Sequence, residues 1–384
     1  MGIKDLYKLF YDLCPNVFIK MDLYHFHSKK IGWDISSYII ASKVKGISTW
    51  KNQIINRIIV AKENNVHILP VFDGKAPMEK DEERKRRRDE QAKRANKVNL
   101  VEQQLKEYIK DDTVIGKELS DVWKQKTKKG QEGPSKANRL LGRTVSEENE
   151  IIEENGTLVE EKLVIDTEVI ESYIKKSREQ NVAITKEDVQ TLKELFDVFK
   201  IPYVQAPGEA EACAAYLESI GEISAVLSED SDVLAYGAKI LLNELNNSSG
   251  TMRAVHLDDV LYALGLKHEE FLDLCVMCGT DYNKNIKGVG GKTVYNYIYE
   301  CRSIEKIEEK YKLDTTILKY KRSRELFQKF GDIDLSACRA EYWDVQIDIE
   351  EVVRFCKENK IFVDTKILKK LWKPATFEIV KKRN

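Results

Sequence analysis

Between Trp50 and Glu63, Ile54, Ile55, Ile58, Ile59 and Ala61 recur at the spacing of one helix face. The flanking runs read differently. Lys30-Ile31-Gly32-Trp33-Asp34-Ile35 and the stretch from Val66 to Gly74 are short and apolar, and both predict buried strands. Strand, helix, strand is the grammar of a parallel sheet. Pro70 carries no N–H, so the second strand is expected to pair on one side only around it. Helical patterning from Val189 to Phe199 then leads through Ile201-Pro202-Tyr203-Val204, and Ala225-Val226-Leu227 and Lys239-Ile240-Leu241-Leu242 read as further strands. Apolar helical turns follow at Val260 to Leu264 and Phe271 to Met277. The expected class is α/β, with a central, mostly parallel sheet flanked by helices.

Three of these strands each deliver an acid. Asp34 and Asp73 end the first two, and Asp230 follows the run at Ala225. Ligands of open α/β sheets bind beyond the carboxyl ends of the strands, so the three acids are expected on one sheet edge. Glu209 and Glu211 follow the Pro207-Gly208 turn and open a small-residue helix, whose free N–H groups favour negative charge. Side chains at i and i+2 of a helix point apart, so this pair converges only if Glu209 stands at the cap. Asp230 and Asp232 share a face if the strand persists through them, and a turn would serve equally. Acids gathered at the end of a buried strand repel one another and lose hydration unless a cation joins them. Oxygen ligands suit Mg²⁺ or Mn²⁺, and two such ions about 4 Å apart are an arrangement that hydrolyses phosphodiesters.

The segment from Lys75 to Lys110 holds twelve Lys or Arg against eight Asp or Glu, and lacks Gly and, after Pro77, proline. A helix is expected there, with Lys80, Arg84, Arg87 and Arg94 along one face, as a phosphate backbone would require. Residues 111–163 have another character. Val145 to Glu161 carries seven acids and no base, and Lys124 to Lys136 is polar and holds Gly130, Gly133 and Pro134, so a flexible insert is expected. The predicted organisation is 1–110 with a basic helical segment at about 75–110, the insert at 111–163, a second α/β region at 164–305, and a helical extension at 306–384.

Composition limits where attraction to nucleic acid can arise. In 384 residues, 63 Lys and Arg face 64 Asp and Glu, a net charge of −1, so any such attraction must come from local clusters. Seven cysteines without framework spacing suggest reduced thiols, and the lone Cys275-x-x-Cys278 pair reads as helix packing rather than zinc. With no membrane-length apolar run and no secretory signal, an intracellular protein is expected.

Gly279-Thr280-Asp281 supplies one more acid, and Gly288-Val289-Gly290-Gly291-Lys292 exposes backbone N–H groups between two helices, suited to gripping phosphates. In this order the chain resembles the flap endonuclease and XPG-type structure-specific 5′ nucleases. The resemblance runs through Met1-Gly2-Ile3, Asp34, Val71-Phe72-Asp73-Gly74-Lys75, the Lys80 and Arg87 spacing, Ile201-Pro202-Tyr203 through Glu209-Ala210-Glu211-Ala212, Glu229-Asp230-Ser231-Asp232, Gly279-Thr280-Asp281-Tyr282 and the Gly288 hairpin. Ile349 to Cys356, with Phe362 and Leu371, looks like the C-terminal helices of flap endonucleases proper.

The resemblance implies a PIN-like nuclease domain with a helical arch and a helix-hairpin-helix near 270–305. It implies that Asp34, Asp73, Glu209, Glu211, Asp230, Asp232 and Asp281 hold two Mg²⁺ ions, with Mn²⁺ able to substitute. Lys80 and Arg87 would contact the scissile phosphate, and Gly2, Arg84, Arg94, Gly288, Gly290, Gly291 and Lys292 would meet DNA. A monovalent cation such as K⁺ would assist at the hairpin. The implied activity is a structure-specific 5′ flap endonuclease of replication and repair, with 5′ exonuclease activity, acting as a monomer on branched or flapped DNA, at the nucleus or another site of DNA replication. A 5′-to-3′ exonuclease or junction resolvase is the alternative within the family, and a silent junction-binding protein the alternative outside it. Ile40 stands where the family has a base-stacking aromatic, with Tyr38 two residues away, and no sliding-clamp box is found.

Overall fold

The computed structural model describes residues 2–45, 50–128, 163–181, 184–339 and 345–372. In chain order the elements are α1 (Leu6–Leu13), β1 (Phe18–Asp22), β2 (Lys30–Asp34), α2 (Ile35–Lys45), α3 (Trp50–Glu63), β3 (His67–Phe72), α4 (Asp81–Lys110), α5 (Lys117–Lys128), α6 (Thr167–Gln180), α7 (Lys186–Val198), β4 (Val204–Gln205) and α8 (Ala210–Ser219). They continue with β5 (Val226–Leu227), α9 (Asp232–Ala235), β6 (Ile240–Asn243), β7 (Thr251–His256), α10 (Leu257–Leu264), α11 (His268–Cys278), α12 (Gly291–Cys301), α13 (Ile304–Tyr311), α14 (Tyr320–Gln328), α15 (Ser336–Arg339), α16 (Ile349–Glu358) and α17 (Thr365–Leu371).

The seven strands lie in the order β1-β7-β6-β5-β2-β3-β4. From β6 to β4 neighbouring strands are parallel, and β7 and β1 close one edge antiparallel. β4 pairs only with Val71 and Phe72, so at Pro70 the ladder is one-sided and the missing N–H is tolerated. Successive strand residues enter opposite cores because the side-chain period is two. Leu69, Val71, Val226, Leu241 and Val255 face a cluster built by α1 and α8 to α14. Ile68, Phe72, Leu227, Leu242 and Ala254 face the other, with α2, α3, α7, α16 and α17. Both faces are thus covered, as a parallel sheet requires.

The chain divides into two compact units, one of residues 1–85 and 183–384 and one of residues 86–182. α16 and α17 contribute Val352, Cys356 and Leu368 to the core of the first unit, so they belong to its body. In the second unit, Val98, Val101, Leu105 and Tyr108 of α4 pack with Leu119 and Val122 of α5 and Ile170 and Ile174 of α6. The expectation of a flexible insert is corrected over 117–128, which forms a packed helix. Leu119, Val122 and the half-buried Trp123 make a short apolar stripe that a composition average hides, and α4 and α6 supply its partner surface. The acidic run from Val145 to Glu161 lies outside the described residues.

Candidate active site

The carboxyl end of the sheet gathers acids from separate segments. Asp34, at the end of β2, is fully buried; Ser37 N–H donates to its Oδ1 at 3.2 Å and Ser228 Oγ to its Oδ2 at 2.7 Å. Asp73 follows β3, and its Oδ1 accepts the Ala210 N–H at 2.9 Å, satisfying a free amide at the start of α8. Gly74 makes this approach possible. Its N–H donates to Gly208 O at 2.7 Å, and a Cβ there would lie 2.0 Å from Ala206 O.

Glu209 is the N-cap of α8, with extended backbone (φ −75°, ψ 141°), and Glu211 lies in the first turn. Because Glu209 stands outside the helix, the two side chains need not diverge: oxygens of Asp73, Glu209 and Glu211 lie within 4.8 Å of one another. At the next segment the strand stops early. Asp230 and Asp232 are joined by a turn, in which Asp232 N–H donates to Asp230 Oδ1 at 3.0 Å, and α9 begins at Asp232. The segment from Gly2 to Lys4 packs nearby. Ile3 N–H donates to Ser231 Oγ at 3.1 Å, and Gly2, at φ +90°, lies so close that a Cβ would sit 2.0 Å from Asp230 Oδ1. Lys4 N–H reaches Gly279 O at 3.1 Å, two residues before Asp281.

Burial dominates the electrostatics. It pushes Asp34 up to about 7, with Asp73 adding to the shift. Burial and then the neighbouring carboxylates hold Glu211 and Asp232 well above the usual range. Glu209 is also raised by burial, although Lys80 pulls it back. Lys80 is the cation of this group: it pairs with Glu209 and lies 3.1 Å from Asp281. Burial pulls its ammonium down, but Glu209, Asp281 and Glu211 more than compensate and raise it. Asp232 Oδ1 is buried without a hydrogen-bond partner. An orphaned carboxylate oxygen and an all-oxygen donor set fit hard divalent cations such as Mg²⁺ or Mn²⁺.

Asp281 is held by its loop. Thr280 Oγ1 donates to Asn283 Oδ1 at 2.7 Å, and Asn283 Nδ2 to Val276 O at 2.7 Å. The Tyr236 and Tyr282 hydroxyls bond to each other, and both rings pack on Phe327.

The basic residues separate into groups. Lys80 does not continue the face of α4; it ends a 3-10 turn, Met78–Lys80, that precedes the helix. Its pairing with Glu209 and Asp281 carried no sequence signal, because it joins segments far apart in the chain. Arg84 is exposed in the first turn of α4, 3.8 Å from Asp81, while Arg87 and Arg94 are exposed on the part of α4 in the second unit. Gly288 (φ +82°) and Gly290 lie between α11 and α12, Gly291 and Lys292 open α12, and a Cβ at Gly288 or Gly290 would meet nothing within 4 Å. Lys292 lies 3.2 Å from Asp12. Tyr38 is core: it is buried, with the Arg57 guanidinium 3.7 Å from its ring centroid, whereas Ile40 is 37% exposed.

A profile of the XPG I-region matches residues 200–281, the stretch that holds Glu209, Glu211, Asp230, Asp232 and Asp281. A probable RAD2-like endonuclease of Invertebrate iridescent virus 3 is 30% identical over 348 residues, covering 85% of each chain. Flap endonuclease 1 of Nematostella vectensis is 30% identical over 351 residues, with 85% of this chain and 75% of that one covered. The chain belongs to the XPG-type flap endonuclease family. Its fold agrees. The catalytic core of Rad2, solved in complex with a DNA substrate, superposes with a TM-score of 0.60 at 16% identity, over 96% of this chain and 98% of that one. The expected PIN-like nuclease architecture is therefore borne out. No described helix of this family member is long and apolar enough to cross a membrane.

Proposed function

We propose that this chain is a divalent-cation-dependent, structure-specific 5′ nuclease that cleaves flapped DNA at the junction of single and double strands, in replication or repair. The observation that carries the reading is the convergence of acids from separate segments around Lys80, with Asp232 Oδ1 buried and unpartnered. Asp34, Asp73, Glu209, Glu211, Asp230, Asp232 and Asp281 would hold two Mg²⁺, directly or through water; when bound, such ions supply Lewis acidity and lower the pKa of water.

The protein's own groups do the rest. Ser37 and Ser228 fix Asp34, and Asp73 fixes the start of α8, so the carboxylates are oriented before any ligand arrives. Lys80 balances part of the acid charge and offers a point charge to the scissile phosphate; Arg87 would add a planar fork. The bare backbone at Gly288 and Gly290 would let DNA approach closely without base reading, with Gly291, Lys292 and a K⁺ ion assisting at the hairpin, and Gly2, packed on Asp230, would lie beside the junction. Specificity then comes from junction shape.

Flap, nicked and four-way DNA, each compared with Mg²⁺ and with chelator, test this reading. Flap cleavage in Mg²⁺ alone is expected. Asp230→Ala should slow it at least about 100-fold while flap binding stays within a few fold. Undiminished cleavage by that variant would remove the site.

A further inference from the structure

We propose that Arg322, on α14, is a positioning residue for Lys80 and acts through Glu79; this rests on the reading of the acid cluster as a nuclease site. Lys80 occupies a weakly built place. The turn Met78–Lys80 is three residues long, has no side-chain cap and buries none of its residues; Met78 is 81% exposed. Its one apolar side chain, Met78, is turned to solvent. What holds it is charge on both sides of Lys80: Arg322 Nε donates to Glu79 Oε1 at 2.7 Å, and Glu82 lies 3.4 Å from Lys284 and 3.6 Å from Lys319.

The other end of this brace is rigid. Arg324, two residues beyond Arg322, is bidentate to the buried Asp273 of α11 at 2.6 and 2.7 Å. Phe327 of the same helix packs on Tyr236 and Tyr282, with ring centroids 4.7 and 5.3 Å away, and Tyr282 adjoins Asp281. α14 thus sets the Asp281 loop through one part of its surface and the Lys80 turn through another. Lys80 Nζ and Asp281 Oδ2, 3.1 Å apart, are referenced to one anchored element.

An isolated exposed ion pair is weak. Arg322 differs in being shared between Glu79 and Glu325, the latter at 2.9 Å, on a helix fixed from beneath. Hydrogen bonding from Arg322 also holds the Glu79 carboxyl below its ordinary range. Lys284, Lys319 and Arg322 are each already engaged by Glu79, Glu82 or Glu325, so these three cations suit a brace better than a phosphate groove.

The test uses the full chain with Glu79→Gln, Arg322→Gln and the double variant, measuring single-turnover cleavage of a 5′-flap duplex in Mg²⁺, flap affinity in Ca²⁺, and melting temperature. Each single variant should cleave about 5- to 20-fold more slowly, with affinity within two-fold and melting unchanged, and the double variant should lose no more than either single one. Arg322→Lys should retain part of the rate, since it keeps the charge but not the fork. Unchanged rates overturn the proposal, and so do losses that multiply in the double variant. Weaker binding with a flatter salt dependence and an unchanged rate also overturns it, placing Arg322 instead in a DNA-contacting cleft, the one of about 260 Å³ that it lines with Thr315, Thr316, Lys319, Tyr320 and Lys321. Failure of the wild-type protein to cleave flapped DNA at all would sink the nuclease reading itself.

Discussion

Asp34 and Asp232 show how far the protein leaves its own acids unsatisfied. Asp34 has two hydroxyl or amide donors, yet burial raises it to about 7; burial and then the neighbouring carboxylates also hold Asp232 well above its usual range, and it keeps a bare Oδ1. An acid whose pKa is raised by folding binds its proton more tightly in the native state than in the unfolded chain. Its contribution is therefore present below the ordinary carboxylate pKa and is lost as pH rises through the folded value. In chelator, the melting temperature should fall between about pH 5 and about pH 8, and Mg²⁺ should flatten that fall by replacing the proton as counter-charge. Calorimetry across this range decides the matter, and a chelator curve that does not descend would mean the acids are better satisfied than their burial implies.

α8 is the element on which the site turns. Its first amide is capped by Asp73, just after β3, and near its far end Glu218 accepts the N–H groups of Lys239 and Ile240 at 2.5 and 3.0 Å. Glu209 and Glu211 are thus presented by a helix tied at both ends to the sheet. The segment between α11 and α12 leaves open space beside Gly288 and Gly290, where the proposed DNA contact would fall. At Gly290 the backbone is at φ −90°, which any residue adopts, and a Cβ would meet no protein atom. Gly290→Ala should therefore leave melting unchanged while weakening duplex binding several-fold, a difference that fluorescence anisotropy would register. Equal binding would assign the glycine to chain geometry alone. Gly74 is the opposite case, since its Cβ would run into backbone at Ala206 and Pro207.

At the scale of the molecule, a net charge of −1 gives no overall pull on DNA, so the proposed DNA binding would have to draw on local cations such as those along α4. Replacing Arg84 and Arg94 together with Ala should reduce the slope of log affinity against log salt by roughly one unit for each phosphate that is no longer neutralised. An unaltered slope would make both of them solvated surface. Local pattern determined much of this protein by itself: the bounds of α3 and the strands that lead into Asp34 and Asp73 follow from periodicity, whereas the cap position of Glu209, on which the convergence of the Glu209 and Glu211 pair depended, was supplied by the structure. Only tertiary structure decided that Ser228 holds Asp34, that Lys80 leaves the arch face to pair with Glu209 and Asp281, that Gly2 lies on Asp230, and that α5 is a helix. The reason is physical. Hydrophobic spacing constrains the chain over a turn or a strand, whereas these contacts depend on which strand lies beside which and on burial that no short stretch of residues specifies.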